Sequence, residues 1–323
     1  MKAGIIGTGH GSRVLFHAFE LSNIKVYGIS SKHFSKSEKI RKKLKILKAY
    51  KHWSDLVEDK NIEIVAIAVP PNLQLEIIKK CIKFKKKIFA EKPLSIEYLE
   101  SKKIINKLNK YNNHFIMDYI FPEHLLFKKF EKFVKKINKE NDNFIEIFFY
   151  NKSYVIKNNI SNWKTNDNFG GGLVNLYLPH IIDYLILYFG EINKIQKIYD
   201  KQAHSMTLLV LFKKNYKVII KINANSKKQI HFIKLQNNSH NITLCNKRKD
   251  YAKNFELKFE TKKTKKTKLF LDENLKNFNK DSRIYLTHIL INNFKKKFNR
   301  DIYSKLLNRY LIVEKWVDKI RNI

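Results

Sequence analysis

Lys2-Ala3-Gly4-Ile5-Ile6 reads as a short apolar strand that runs directly into Gly7-Thr8-Gly9-His10-Gly11-Ser12, and a helical pattern follows over residues 12–21. A glycine-rich turn between a strand and a helix is the setting of the dinucleotide fingerprint G-x-G-x-x-G. Gly7 suits the tight turn. Gly9 lets a pyrophosphate approach the backbone, and the helix N-terminus offers N–H groups to phosphates. The third glycine of the fingerprint falls on Ser12, with Gly11 one residue early; serine is small enough for close helix–strand contact. The turn makes Gly7, Thr8, Gly9, His10, Gly11, Ser12 and Arg13 candidate cofactor contacts.

The next 100 residues alternate strand and helix. Strands are expected at 25–29, 64–69, 87–90 and 114–118, and helices at 34–47, 55–59, 75–85 and 99–109. Residues 64–69 form a β-branched run without alternation, as in a strand covered on both faces, and Pro70-Pro71 stops it. This alternation predicts a doubly wound parallel sheet with crossover helices over residues 1–120. The second strand should choose the cofactor, because a carboxylate at its end binds a ribose 2′-OH and a basic residue accommodates a 2′-phosphate. The sequence there is Gly28-Ile29-Ser30-Ser31-Lys32, with no carboxylate. Ser31 and Lys32 therefore favour NADP over NAD.

After residue 120 the pattern changes. A strand at 144–150 is followed by a long helix at 173–189, then by strands at 194–199, 205–212 and 216–223. Segments 231–236, 241–245 and 256–260 extend the series, and residues 281–323 read as mostly helical. Strands in succession predict an α+β domain with an antiparallel sheet over residues 121–323. Helix 173–189 is the most apolar stretch but contains His180 and Asp183, which suits a buried helix rather than a membrane span. The lysine-rich segment 258–268 reads as a solvated hairpin edge.

The net charge of +36 points at first to an anionic partner such as nucleic acid. Its distribution argues otherwise. Only seven of the 65 basic residues are arginine, and the charge is even: residues 1–120 carry 24 basic and 11 acidic groups, residues 121–323 carry 41 and 18. No basic half opposes an acidic one, so neither a nucleic-acid nor a membrane partner is expected. Two isolated cysteines, Cys81 and Cys245, give neither a disulfide framework nor a metal-ligand spacing. No apolar leader precedes the first strand, so a soluble cytoplasmic protein is expected.

Three motifs in order resemble the Gfo/Idh/MocA oxidoreductases. The first is the glycine turn. The second is Ile64-Val65-Ala66-Ile67-Ala68-Val69-Pro70-Pro71-Asn72, followed by Ala90-Glu91-Lys92-Pro93-Leu94. The third is Trp163-Lys164, Gly170-Gly171-Gly172, His180 and Asp183. Trp53-Ser54-Asp55-Leu56 also fits, and the resemblance spans residues 1–223. It implies a Rossmann domain, an α+β domain with a large open antiparallel sheet, and hydride transfer between a nicotinamide cofactor and a sugar-like alcohol or ketone.

The resemblance assigns Val69, Pro70, Pro71, Glu91 and Lys92 to the cofactor. It makes Lys92 and His180 the catalytic pair, with Lys92 polarising the reacting oxygen and His180 exchanging its proton. Histidine suits that exchange near neutral pH. Tyr119, Trp163, Lys164 and Asp183 are substrate-binding candidates, with Glu123 a weaker one. A homo-oligomer, dimer or tetramer, is also implied. Two positions depart from the family pattern. Leu176 stands where an aspartate often precedes the histidine by one turn, and Gln74 stands where a histidine often follows Pro-Pro. Leu176 leaves open a nucleotide-binding member with little or no redox activity, a sensor or partner subunit. Pro179 is expected to start or kink the helix that carries His180.

Overall fold

The structure is a computed structural model that describes residues 1–137, 143–199, 204–247, 250, 252–296 and 298–322. The chain forms two compact units. One comprises Met1–Ile120, Asn168–Gly170 and Arg283–Asp318; the other comprises Phe121–Asp167, Gly171–Ser282 and Lys319–Ile323.

In the first unit, β1 (Lys2–Ile6), β2 (Lys25–Ser30), β3 (Lys48–Tyr50), β4 (Ile64–Ile67), β5 (Lys87–Ala90) and β6 (Phe115–Met117) form one parallel sheet in the order β3-β2-β1-β4-β5-β6. The order reverses between β1 and β4, which makes their carboxyl ends the topological switch point. All four residues of β4 are buried, as the unalternating run required. The crossovers are α1 (Phe16–Leu21), α2 (Phe34–Leu44), α3 (Trp53–Glu58), α4 (Pro71–Lys83) and α5 (Tyr98–Lys110).

Two local readings need correction. α2 ends at Leu44 instead of running to residue 47, because Lys45 adopts a left-handed cap (φ 54°) and the chain turns into β3, a strand too short to show a period. α4 starts at Pro71, four residues early. Proline's fixed φ suits the first helical position, where its missing N–H costs nothing.

In the second unit, α6 (Leu125–Ile137) buries Leu126, Phe127, Phe130, Val134 and Ile137 along one face. The sheet is built from β7 (Phe144–Lys152), β8 (Ile192–Tyr199), β9 (Ser205–Phe212), β10 (Lys217–Asn223), β11 (Asn225–Gln236), β12 (His240–Asn246), β13 (Glu256–Thr261) and β14 (Lys266–Leu271). Its order is β14-β13-β12-β11-β7-β10-β9-β8. Every pairing is antiparallel except β7–β10, which is parallel, so the large antiparallel sheet expected here carries one parallel pair at its centre. The lysine-rich segment is the β13–β14 hairpin at the sheet's edge.

Burial alternates strictly along β9 and β10, so one face packs inward and the other stays half-exposed. α6 and α8 (Gly172–Phe189), preceded in the chain by the short helix α7 (Tyr154–Lys157), supply apolar side chains to the core. α8 is long and apolar enough to cross a membrane by length and composition, yet 61% of it is buried within the protein. Pro179 lies inside α8 and does not start it, correcting that part of the expectation.

The C-terminal region is helical as expected: α9 (Glu273–Lys276), α10 (Ser282–Ile291) and α11 (Arg300–Arg321). Arg283–Asp318, expected with the second domain, belong to the first unit. Tyr310 and Tyr303 from α11 pack edge-on against Phe115 and His114 at the sixth strand. Aromatic burial of this kind is what ties a remote segment to a sheet edge.

Candidate cofactor site

Loops at the carboxyl ends of β1, β2, β4, β5 and β6 carry the first unit's candidate residues. Gly7 has φ 113°, and a Cβ there would lie 2.2 Å from the Ala68 carbonyl oxygen, so only glycine makes this turn. Its N–H donates to the Ser30 carbonyl at 2.8 Å, which ties the turn to the end of β2. A Cβ on Gly9 would meet nothing within 4 Å, so the backbone there is open to a ligand. The close helix–strand contact falls on Gly11, where a Cβ would lie 2.7 Å from Cγ2 of Ile5. The glycine that comes one residue early thus does the packing, and the first turn, Gly11–Leu15, is π-helical. Ser12 Oγ donates to the Thr8 carbonyl at 2.6 Å and Arg13 Nε to the Gly9 carbonyl at 3.2 Å. Both side chains brace the turn. A backbone cradle open at Gly9, at the switch point of a parallel sheet, fits a dinucleotide pyrophosphate.

Beyond β2, Ser31 Oγ donates to the His33 carbonyl at 3.0 Å and lies 2.9 Å from Ser37 Oγ; Lys32 is exposed. Val69 and Pro70 are half-buried after β4, and Pro71 is buried and would sit 2.7 Å from a Cβ on Gly170.

The Glu91-Lys92-Pro93-Leu94 loop follows β5 and contains a cis Lys92–Pro93 bond. Gln74 is fully buried, and its Nε2 donates to the Pro93 carbonyl at 2.7 Å. On the other side Glu314 of α11 accepts from the Leu94 N–H at 3.0 Å and from Ser101 Oγ at 2.9 Å. The segment that carries Lys92 is therefore held from α4 and from α11. Gln74 was marked only as a departure from the family pattern, and Glu314 was not legible at all, because it is 220 residues away in sequence from Leu94.

His10, Glu91 and Asp118 converge at this edge. His10 Nε2 lies 2.8 Å from Glu91 Oε1 and 3.5 Å from Asp118 Oδ2. Thr287 Oγ1 of α10 donates to the other Asp118 oxygen at 3.5 Å. Burial alone would lower the His10 pKa, but the two carboxylates outweigh it and raise the pKa to about 9. Burial pushes Asp118 up to about 7, helped by Glu91 and opposed by His10. Glu91 lies well below the usual carboxylate range despite its burial, through the charge and hydrogen bond of His10. The three ligand-type atoms lie within 4.8 Å of one another, a spacing a cation could bridge; here the imidazolium supplies the positive charge. Asp118 was missed as a site residue. Its position at the end of the sixth strand was the available signal.

Tyr119 is buried, with its ring 5.4 Å from that of Tyr310. Glu123 pairs with Lys128 at 2.8 Å.

In the second unit, His180 is buried on α8, edge-on to Phe121 at 5.4 Å between ring centroids. Asp183, one turn later, is fully buried. Asn175 spends its side chain on α8's own start, donating to the Gly171 carbonyl at 2.9 Å, and it accepts from Arg321 at 3.4 Å. Leu176 is half-buried four residues before His180. Trp163 is half-buried on a 3-10 turn that Asn162 caps, and exposed Lys164 lies over the Trp163 ring at 5.7 Å. A Cβ on Gly171 would lie 2.1 Å from the Trp163 carbonyl oxygen, which explains the glycine there by close backbone approach.

Residues 1–119 match the model of an oxidoreductase family, GFO_IDH_MocA, described as having an NAD-binding Rossmann fold. The chain is 33% identical over 113 residues to a myo-inositol 2-dehydrogenase of Thermotoga maritima, a match covering 34% of this chain and 33% of that protein. It is 26% identical over 209 residues to an uncharacterised oxidoreductase of Schizosaccharomyces pombe, covering 62% of this chain and 55% of that one. The chain thus spans between a third and just over half the length of these curated relatives. Solved structures extend the likeness of fold. A 3-ketoreductase from Actinomadura kijaniata, in complex with NADP and TDP-benzene, superposes with a TM-score of 0.80 at 13% identity, covering 100% of this chain and 97% of that one. A levoglucosan dehydrogenase in complex with NADH and L-sorbose gives 0.79 at 12% identity, covering 97% and 96%. Residues 1–119, just over a third of the chain, thus match the NAD-binding Rossmann model of the GFO_IDH_MocA oxidoreductase family, and the chain as a whole shares the fold of the solved oxidoreductase structures.

Proposed function

We propose that this protein is an NAD(P)-dependent oxidoreductase acting on an alcohol or ketone group of a sugar-like molecule. The observation that supports it best is the glycine cradle: a positive-φ turn at Gly7, open backbone at Gly9 and close packing at Gly11, at the switch point of the parallel sheet. Residues 1–120 hold the cofactor, through the Gly7–Arg13 turn, Val69, Pro70, Pro71 and Glu91. The second domain serves substrate binding and association. NADP is favoured over NAD, because Ser31 and exposed Lys32 follow β2 where a carboxylate would select a free 2′-hydroxyl. The bound nicotinamide supplies or accepts a hydride.

Lys92 holds the reacting oxygen and stabilises negative charge on it, which an ammonium in a half-buried loop does well. The loop braces from Gln74 and Glu314 keep that ammonium in place. His180 exchanges the hydroxyl proton, and Asp183 on the same helix face orients its ring. Trp163, Lys164 and Tyr119 contribute to substrate binding, a role that burial makes indirect for Tyr119. The half-exposed face of the second unit's sheet, where Phe148 stacks on Phe232 at 5.3 Å, suits self-association into a dimer or tetramer.

The test is a screen of polyols, sugars and their keto forms with NADPH and NADH. Lys92→Ala is expected to lose about a hundredfold or more in turnover; activity within about threefold of wild type overturns the role of Lys92. A second reading, dinucleotide binding with little or no turnover, is favoured by one observation. Leu176 places no carboxylate a turn before His180, and the amide of Asn175 is committed to backbone. It predicts cofactor binding with no substrate turned over in the same screen.

A further inference from the structure

We propose that His10 is a cofactor-positioning residue: its imidazolium, clamped by Glu91 and Asp118, neutralises the carboxylates at the mouth of the dinucleotide crevice and makes cofactor affinity depend on pH. The inference rests on the cofactor reading of the glycine turn and adds to it a charge requirement on that site.

The topology gives the reason. His10 stands in the turn after β1, Glu91 after β5 and Asp118 after β6, while β4 lies between β1 and β5. The contacts of 2.8 and 3.5 Å from His10 Nε2 therefore reach over the end of β4. That is the side of the switch point on which a dinucleotide lies after leaving the glycine turn. Two carboxylates facing an anionic dinucleotide would repel it. A positive group between them removes most of that repulsion, and His10 is the residue placed to do so.

The charged groups shown to act on His10 are Glu91 from the loop after β5 and Asp118 from the end of β6; Lys92 acts on Glu91 through its charge, Arg13 Nε donates to the Gly9 carbonyl, and Thr287 contributes only a hydroxyl to Asp118. His10 is charged below about pH 9 and neutral above it, while Asp118 gains its charge above about pH 7. Both changes make the crevice more negative as pH rises. Cofactor affinity should therefore fall as pH rises, with one step near 7 and a second near 9.

The experiment is titration of the intact protein with NADPH and NADH, by nicotinamide fluorescence, from pH 6 to 10. Wild type is compared with His10→Asn, His10→Gln and the double variant His10→Asn/Asp118→Asn. At pH 8 both single variants are expected to bind roughly tenfold more weakly, the scale of one unit charge acting on an anion a few ångströms away in partly screened surroundings. The double variant, with one carboxylate removed, is expected to recover most of that loss, and the step near pH 9 is expected only in wild type. A merely structural role for His10 would leave wild-type affinity without a step near pH 9. Wild-type affinity that stays flat between pH 8 and 10 overturns the proposal. So do single variants that bind as wild type does, or a loss that the double variant does not recover. Wild type that binds neither dinucleotide at any pH overturns the cofactor reading together with this inference; binding without dependence on His10 overturns this inference alone.

Discussion

Gly7 shows how a single residue can be read from sequence and then given its physical reason. The fingerprint asked for a glycine at that position, and φ 113° with the Ala68 carbonyl 2.2 Å from a would-be Cβ supplies the reason. Gly7→Ala is expected to lose dinucleotide binding and to lower thermal stability, since the new methyl can be relieved only by moving the end of β4. Unchanged affinity by fluorescence titration and an unchanged melting temperature would contradict this. Ser12 and Arg13 show where the residue reading was incomplete. Sequence spacing marked both as cofactor contacts, and the structure turns their side chains onto the Thr8 and Gly9 carbonyls. Spacing gives the backbone path of a turn, but it does not say which carbonyl a hydroxyl or guanidinium will find.

Among the elements, those with a clear period or a clear stop were legible. β4 was visible as an unalternating β-branched run, and α8 as a long apolar stretch closed by Gly190. β3 was not visible, because three residues carry no period. α6 was overlooked although its apolar positions fall cleanly on one face. The parallel β7–β10 pairing was out of reach, because register between strands far apart in sequence is set by tertiary packing. α11 was seen as a helix but assigned to the wrong unit. What assigns it is Glu314, which satisfies the Leu94 N–H and Ser101 Oγ. Glu314→Ala leaves those buried donors without an acceptor, so it is expected to destabilise the protein by roughly 1–3 kcal/mol. It should also weaken turnover through the Lys92 loop. A urea midpoint equal to that of wild type would show that Glu314 does not brace the loop.

At the scale of the whole molecule, charge was the most misleading property and motif order the most informative. A net charge of +36 spread evenly over the sequence specifies no partner. The glycine turn, Pro70-Pro71 and Glu91-Lys92-Pro93, taken in order, led to the Rossmann domain, and residues 1–119 carry the family match. The cluster of His10, Glu91 and Asp118 could not be read in advance. Its members come from three loops that become neighbours only through the strand order β1-β4-β5-β6.

The central claim is that the glycine cradle holds a nicotinamide dinucleotide. Its most direct test is titration of the purified protein, cleared of carried-over nucleotide, with NADPH and with NADH near pH 7. The account predicts saturable binding, with NADPH the tighter of the two through Ser31 and Lys32, and a melting temperature that rises with dinucleotide concentration. Tighter binding of NADH would contradict the choice of NADP. Binding of neither would contradict the central claim.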